Sequence, residues 1–430
     1  MSGALRRAST VPWWKEPTRD QWNAYIAAWL GWTLDAFDFT VFLVLLVPIA
    51  KEFDAPLTSV ALVTTLTLVM RLLGAVASGW MADRMGRKAP LMISILWYSI
   101  CNFICGFSPS FVFLLVFRTI LGIGMGAEWP AGAALAMETW PIRSRGLMSS
   151  VLQGSWALGY LVSGLLYATI YQYIGWRGML WIGVLPALAV VWIRFYVKEP
   201  EIWVENQKNQ QVQNTHVKAP LIEIFKPAML WNTFTACWWM ASAFVVYYSI
   251  FGLFATWLTK DLHMSPAAVG WPLVLTNAAT FIASFLWGAL ADKIGRRWAM
   301  IIPGVLGLAL CPVYLLTNDY TTIVIGFTLQ GACAGAIYGQ NPSYLTERFP
   351  TEVRATAAAF CYHQGAIFAA LVAPVITWLA TDKGMGFATP MLIFTAGALV
   401  SFVIALLLSP ETLGKEMSAD LEIVAVAEAP

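Results

Sequence analysis

The chain has 430 residues, 59% of them hydrophobic and only 12% charged, with 26 Lys and Arg against 24 Asp and Glu. Soluble domains carry about a quarter charged residues, so this composition excludes a large soluble protein. The near balance of charge argues against nucleic-acid binding. With a mean hydropathy of +0.67, the expectation is an all-α membrane protein that crosses the bilayer many times.

The opening MSGALRRASTVPWWKEPTRDQW is basic and polar, with no apolar stretch before a cleavage site. It reads as a cytoplasmic arm, residues 1–21, rather than a cleaved signal peptide. A span needs about 20 mostly apolar residues. In chain order that criterion predicts twelve spans. The first six lie near 22–47, 59–80, 89–107, 111–135, 147–170 and 176–197. The second six lie near 230–258, 267–289, 298–317, 322–344, 355–380 and 388–408. The halves are therefore 22–197 and 230–408, joined by a polar, Gln- and Asn-rich linker, 198–229, and followed by a tail, 409–430.

Lys and Arg set the orientation. Twenty fall on the side of the arm, linker and tail, Arg6, Arg7 and Lys218 among them. Only Lys51, Arg177, Lys260 and Lys383 fall opposite, and Arg71 and Arg118 lie inside spans. Both termini and the linker are expected in the cytoplasm. The six cysteines lie in or near apolar segments without metal-ligand spacing, and read as small apolar residues.

The two halves repeat. GWMADRMGRK from Gly79 and GALADKIGRR from Gly288 stand 209 residues apart, as do ETWPIRSR from Glu138 and ERFPTEVR from Glu347. EPE ending at Glu201 and SPE ending at Glu411 close the halves, 210 apart. Parallel six-helix repeats that each start in the cytoplasm imply a transporter, with its substrate between the halves near the bilayer midplane.

Charges inside spans are expensive and default to function. Asp35 and Asp38 in GWTLDAFDFT lie roughly 18 and 13 Å below the outer end of the first span, Arg118 roughly 10 Å deep and Arg71 roughly 18 Å. Two acids and two bases in one layer can neutralise one another. Asp35 and Asp38 sit about 60° apart on the helix, so they share a face. A protonatable carboxyl beside an arginine is a proton-coupling device: protonation frees an arginine that then grips a carboxylate bidentately. Asp38 is expected as the coupler, being nearer Arg118 in depth, with Asp35 as its partner. Glu128, on the Gly-rich LGIGMGAEWP, is a second proton candidate. Arg118 and Arg71 are the expected substrate cations. His363, Tyr247, Tyr338, Gln340 and Asn341 offer the second half's pocket lining.

The paired loops resemble the signature of the major facilitator superfamily between the second and third helices of each half. The resemblance covers the whole chain and implies that fold. It also implies gating contacts at Gly79, Asp83, Arg84, Gly86 and Arg87 and at Gly288, Asp292, Gly295 and Arg296. RDQWNAYIAAWLGWTLDAFDF and RTILGIGMGAEWP resemble the sialate:proton symporter branch, which includes sialic acid and lactate/pyruvate permeases. The polar linker, and His363 in FCYHQGAIF where sialic acid permeases tend to carry Asn, point to smaller carboxylates. YGQNPSYLTERFPTEVRAT resembles aromatic-acid permeases. The expected function is proton-coupled import of a small organic anion, a monocarboxylate such as lactate or pyruvate, across a bacterial inner membrane. Sialic acid or aromatic-acid transport is the alternative. Protons and membrane lipid are the other partners, no cofactor is implied, and a monomer suffices. A solute sensor would need a larger cytoplasmic domain. An enzyme would need a nucleotide loop, metal cluster or nucleophile triad that the sequence lacks.

Overall fold

The computed structural model describes residues 12–215, 217 and 219–423. Arg6, Arg7 and Lys218, and the ends of the expected arm and tail, lie outside the described residues. Among the described residues every regular element is a helix. The first half contains Arg19–Val44, Leu57–Met85, Lys88–Cys105, Phe111–Thr139, Arg145–Thr169 and Tyr171–Tyr196. The second contains Pro227–Lys260, Pro266–Ile294, Arg296–Leu315, Tyr320–Arg348, Arg354–Thr381 and Ala388–Leu407. These are numbered below as the first to twelfth spans.

Eleven are long and apolar enough to cross a membrane. The fifth, Arg145–Thr169, has the length but is not among those eleven. Its Ser149, Ser150, Gln153, Ser155 and Ser163 are buried against other helices rather than lipid. Several helices run past their predicted cytoplasmic ends, because hydropathy marks the hydrocarbon core and the helix continues beyond it. The sixth span breaks at Gly183–Pro186, and the eleventh at Gln364.

Local chemistry explains the starts. Thr18 caps the first span in a capping box with Gln21, each side chain bonding the other's backbone N–H. Ser110, Ser265 and Asp319 cap the fourth, eighth and tenth.

Glycines fix the heights of the site residues. A Cβ on Gly126 would lie 1.9 Å from the Arg71 carbonyl oxygen, one on Gly122 2.3 Å from that of Thr67, and one on Gly74 1.8 Å from that of Ile123. The second and fourth spans thus meet backbone to backbone. The outward faces are exposed and apolar, for example Leu73, Leu188, Leu286 and Leu371, as lipid requires.

The linker and tail hold more order than their polarity suggests. Glu201–Val212 is a helix with Asn206 and Gln210 buried, and Asn206 donates to the Ala419 carbonyl at 3.0 Å. Lys198 pairs with Asp20 at 2.7 Å, and Thr351 donates to the Ser418 carbonyl at 2.5 Å. The described arm, linker and tail therefore share one face of the molecule.

Candidate functional site

Asp35 and Asp38 are both fully buried, but they face different neighbours. Asp35 turns to the second span, where its Oδ2 accepts from Arg71 Nη2 at 2.5 Å. Asp38 turns to the third, where its Oδ1 accepts from Asn102 at 3.0 Å. One carboxylate oxygen on each has no hydrogen-bond partner. Their 60° separation is enough to send them to adjacent helices, so the shared face expected from spacing becomes two contacts.

Arg118 is buried yet makes no ion pair with Asp38. Its two terminal nitrogens stand 3.5 Å from the Asp38 carbonyl oxygen, and its guanidinium lies 4.1 Å from the centre of the Phe42 ring. It sits within the packing of the first half. Glu128 is also buried, with neither oxygen hydrogen-bonded, and it leans on Gly31 of the first span.

Arg71 borders an aromatic cluster. Its Cζ is 5.8 Å from the ring centres of Trp32 and Phe39 and 5.6 Å from that of Trp156. Trp32 and Trp156 lie 4.8 Å apart. Trp129 stacks on Tyr362 of the second half at 4.0 Å, and Gln153 bridges Trp129 and Tyr362 at 3.0 and 3.1 Å. Phe244 continues the wall from Tyr362 to Tyr338 and Tyr248. Tyr247 lies 5.9 Å from Tyr338. The halves therefore meet here through rings.

The remaining second-half candidates divide. His363 Nδ1 lies 3.1 Å from the Ala359 carbonyl, while its Nε2 is buried without a partner. Tyr338 donates to the Ala243 carbonyl at 2.6 Å. Gln340 is spent on holding the halves together, donating to Ser150 at 2.7 Å and to the Gly146 carbonyl at 3.2 Å. Asn341 is buried with both amide atoms unpartnered.

The paired loops build one device twice. Asp83 accepts from the backbone N–H groups of Ala355 and Thr356 at 3.0 and 2.9 Å, so it caps the eleventh span from the other half. Asp292 does the same for the fifth span through Gly146 and Leu147, at 2.8 and 2.9 Å. Arg87 binds Asp83 and Glu138, and Arg354 reaches Glu138 across the halves at 2.9 Å. In the second copy Arg296 binds Asp292 and Glu347, and Arg145 reaches Glu347 at 3.4 Å. Burial disfavours charge on Arg87, but Glu138 and Asp83 more than offset it and hold its pKa above the ordinary arginine value. Gly79 packs against the Thr356 backbone and Gly288 against that of Leu147. Gly86 and Gly295 turn at φ 99° and 103°, which only glycine adopts readily.

Each turn is held by a glutamate outside the loop. Glu199 accepts from the N–H groups of Arg87 and Lys88 at 2.7 and 3.0 Å, and Glu411 from those of Arg296 and Arg297 at 2.8 and 3.1 Å. Alignment of EPE with SPE matches Glu201 to Glu411, whereas Glu199 carries the equivalent role. Arg84 lies over the Trp80 ring at the loop's edge. On the opposite face Glu52 and Arg177 pair at 2.6 Å, and Asp261 accepts from the Phe387 N–H at 2.6 Å, each within one half. The described structure is thus closed on the linker side.

Comparison with known proteins gives the family. The model of the Major Facilitator Superfamily matches residues 28–257 and 240–420. The chain belongs to the Major Facilitator Superfamily. Among its superfamily relatives is the probable 4-methylmuconolactone transporter of Cupriavidus pinatubonensis, 30% identical, with 94% of this chain and 93% of that protein covered. The cis,cis-muconate transport protein of Acinetobacter baylyi is 29% identical over 84% of this chain and 88% of that one. The sialic acid transporter NanX of Escherichia coli is 26% identical over 87% and 91%. These relatives are transporters, not enzymes, and NanX bears out the resemblance to the sialic acid branch. The solved structure of the proton:xylose symporter XylE, bound to 6-bromo-6-deoxy-D-glucose, superposes with a TM-score of 0.75 at 18% identity, covering 95% of this chain and 99% of that one. At that identity the likeness is one of fold.

Proposed function

We propose that this protein is a proton-coupled symporter that imports a small organic anion across the bacterial cytoplasmic membrane by alternating access, as a monomer with both termini inside. The observation that carries the reading is the buried Asp35–Arg71 pair beside the aromatic contact between the halves. Support also comes from relatives named for organic-acid transport.

The physical logic is a competition for one guanidinium. Ionised Asp35 holds Arg71, and a buried pair broken on one side leaves an uncompensated charge that costs about 3–5 kcal/mol. Protonation of Asp35 removes that partner, and an incoming carboxylate replaces it. Proton and anion then load together, and neither loads well alone. Asp38 and Glu128 are the other buried acids nearby, and Arg118 balances Asp38 through the low-dielectric interior. Arg71 therefore becomes the first choice for the substrate carboxylate, because it borders the contact between halves and Arg118 does not. The paired loops act as the inner gate. When the halves rock, Asp83 and Asp292 must leave the helix starts they cap, and Glu138 and Glu347 must release Arg354 and Arg145.

The test is uptake of carboxylates into proteoliposomes. Accumulation should follow an inward proton gradient and collapse with a protonophore. Equal accumulation with and without the gradient would overturn proton coupling.

A further inference from the structure

We infer that the transported anion is a planar, conjugated carboxylate, aromatic or dienoic, gripped by Arg71 at its carboxylate and held flat against the rings of Trp32, Phe39 and Trp156. This deepens the symport reading above and rests on it.

Two observations carry the inference. First, three rings from the first and fifth spans stand within 6 Å of the Arg71 Cζ, and Tyr362 of the second half closes the cluster, 6.5 Å from Trp32. A conjugated plane gains offset or edge-to-face contacts with such walls, and a saturated body of the same size does not. Second, most of the amide and hydroxyl groups that a hydroxylated acid would need are already engaged, Asn341 excepted. Gln153 is shared between Trp129 and Tyr362, and Gln340 bonds Ser150. Gln364 bonds the carbonyls of Cys237 and Cys361, and Tyr338 that of Ala243. A polyhydroxy acid would leave most of its hydroxyls unpaired here, and lactate would leave the rings unused. Beside the rings, one donor, Trp32 Nε1–H, and one acceptor, His363 Nε2, whose Nδ1 faces the Ala359 carbonyl, remain without partners. That pair suits one ring heteroatom or substituent.

The test uses the purified full chain and five probes at one pH: benzoate, sorbate, cyclohexanecarboxylate, L-lactate and N-acetylneuraminate. Affinities come from calorimetry and folding from a thermal melt. Benzoate and sorbate should bind on the order of tenfold tighter than cyclohexanecarboxylate, the closest saturated match, and tighter still than the other two. Trp156→Leu should shrink the benzoate-to-cyclohexanecarboxylate ratio towards one, while Trp156→Phe keeps it. Arg71→Gln should remove binding of both. Cyclohexanecarboxylate, lactate or N-acetylneuraminate binding as tightly as benzoate would overturn planar selection. So would an unchanged ratio in a folded Trp156→Leu protein, or no binding of any probe. Gradient-driven uptake then judges the symport reading separately.

Discussion

Arg71 and Asp35 form a single-contact ion pair, Nη2 to Oδ2 at 2.5 Å, from the second span to the first with both side chains buried. Arg71 Nε and Asp35 Oδ1 carry no hydrogen bond. A pair held through one contact, with capacity left on both sides, is suited to exchange partners.

Arg71→Lys keeps the charge and loses the planar fork. Uptake should fall by about tenfold or more, since bidentate grip on a carboxylate is lost, while the detergent-purified protein keeps a cooperative melt. Arg118→Lys should retain more uptake. A folded Arg71→Lys protein with ordinary uptake kinetics would remove Arg71 from the substrate path.

Much of this was legible in the sequence, for identifiable reasons. Span number, the two halves and the paired loops follow from hydropathy and a 209-residue repeat, which report on single helices and on copies of a motif. The intramembrane charges stand out because insertion penalises them. Partner choice was not legible. Asn102 and Gln153 are uncharged and look like ordinary span residues, yet they bond Asp38 and the Trp129–Tyr362 pair. Depth alone matched Asp38 with Arg118, but rotation about the helix axis decides contact, and it turns Asp38 to the third span. Glu199 and Glu411 escaped because their role depends on where the chain returns after more than a hundred residues.

Close packing of the second and fourth spans gives a stability prediction. Gly126→Ala forces a Cβ onto the Arg71 carbonyl, and overpacking typically costs about 1–3 kcal/mol. Gly164→Ala meets nothing within 4 Å and serves as the control. Thermal melts should show a lower Tm for the first and little change for the second. Equal Tm values would mean that the two helices separate freely.

The linker-side network predicts a shift in conformational balance. Asp83→Asn weakens the cap on the eleventh span, and Glu138→Gln weakens the hold on Arg87 and Arg354. Either should open the inner face. With the six native cysteines replaced, Ala359→Cys, buried beside Gly79, should react with a water-soluble thiol reagent several-fold faster in the double variant. Unchanged labelling would make the network a fixed structural tie.

Orientation can be read from the linker helix. In the same cysteine-replaced background, exposed Gln211→Cys should react with a membrane-impermeant thiol reagent only after cells are opened. Labelling in intact cells would reverse the topology.

Linkage gives a pH dependence with a definite sign. If Asp35 must be protonated for the anion to take Arg71, affinity rises as pH falls, by up to about tenfold per unit while Asp35 is mostly ionised. The most direct measurement is therefore Asp35→Asn in proteoliposomes, because the amide mimics the protonated carboxyl and cannot release a proton. The account predicts that accumulation driven by a pH gradient is lost and that binding no longer tightens as pH falls. Substrate counterflow, which needs only the loaded carrier to reorient, should persist at least in part. An Asp35→Asn protein that still accumulates substrate against its gradient at the ordinary rate would contradict the account, and would move the coupled proton to Asp38 or Glu128.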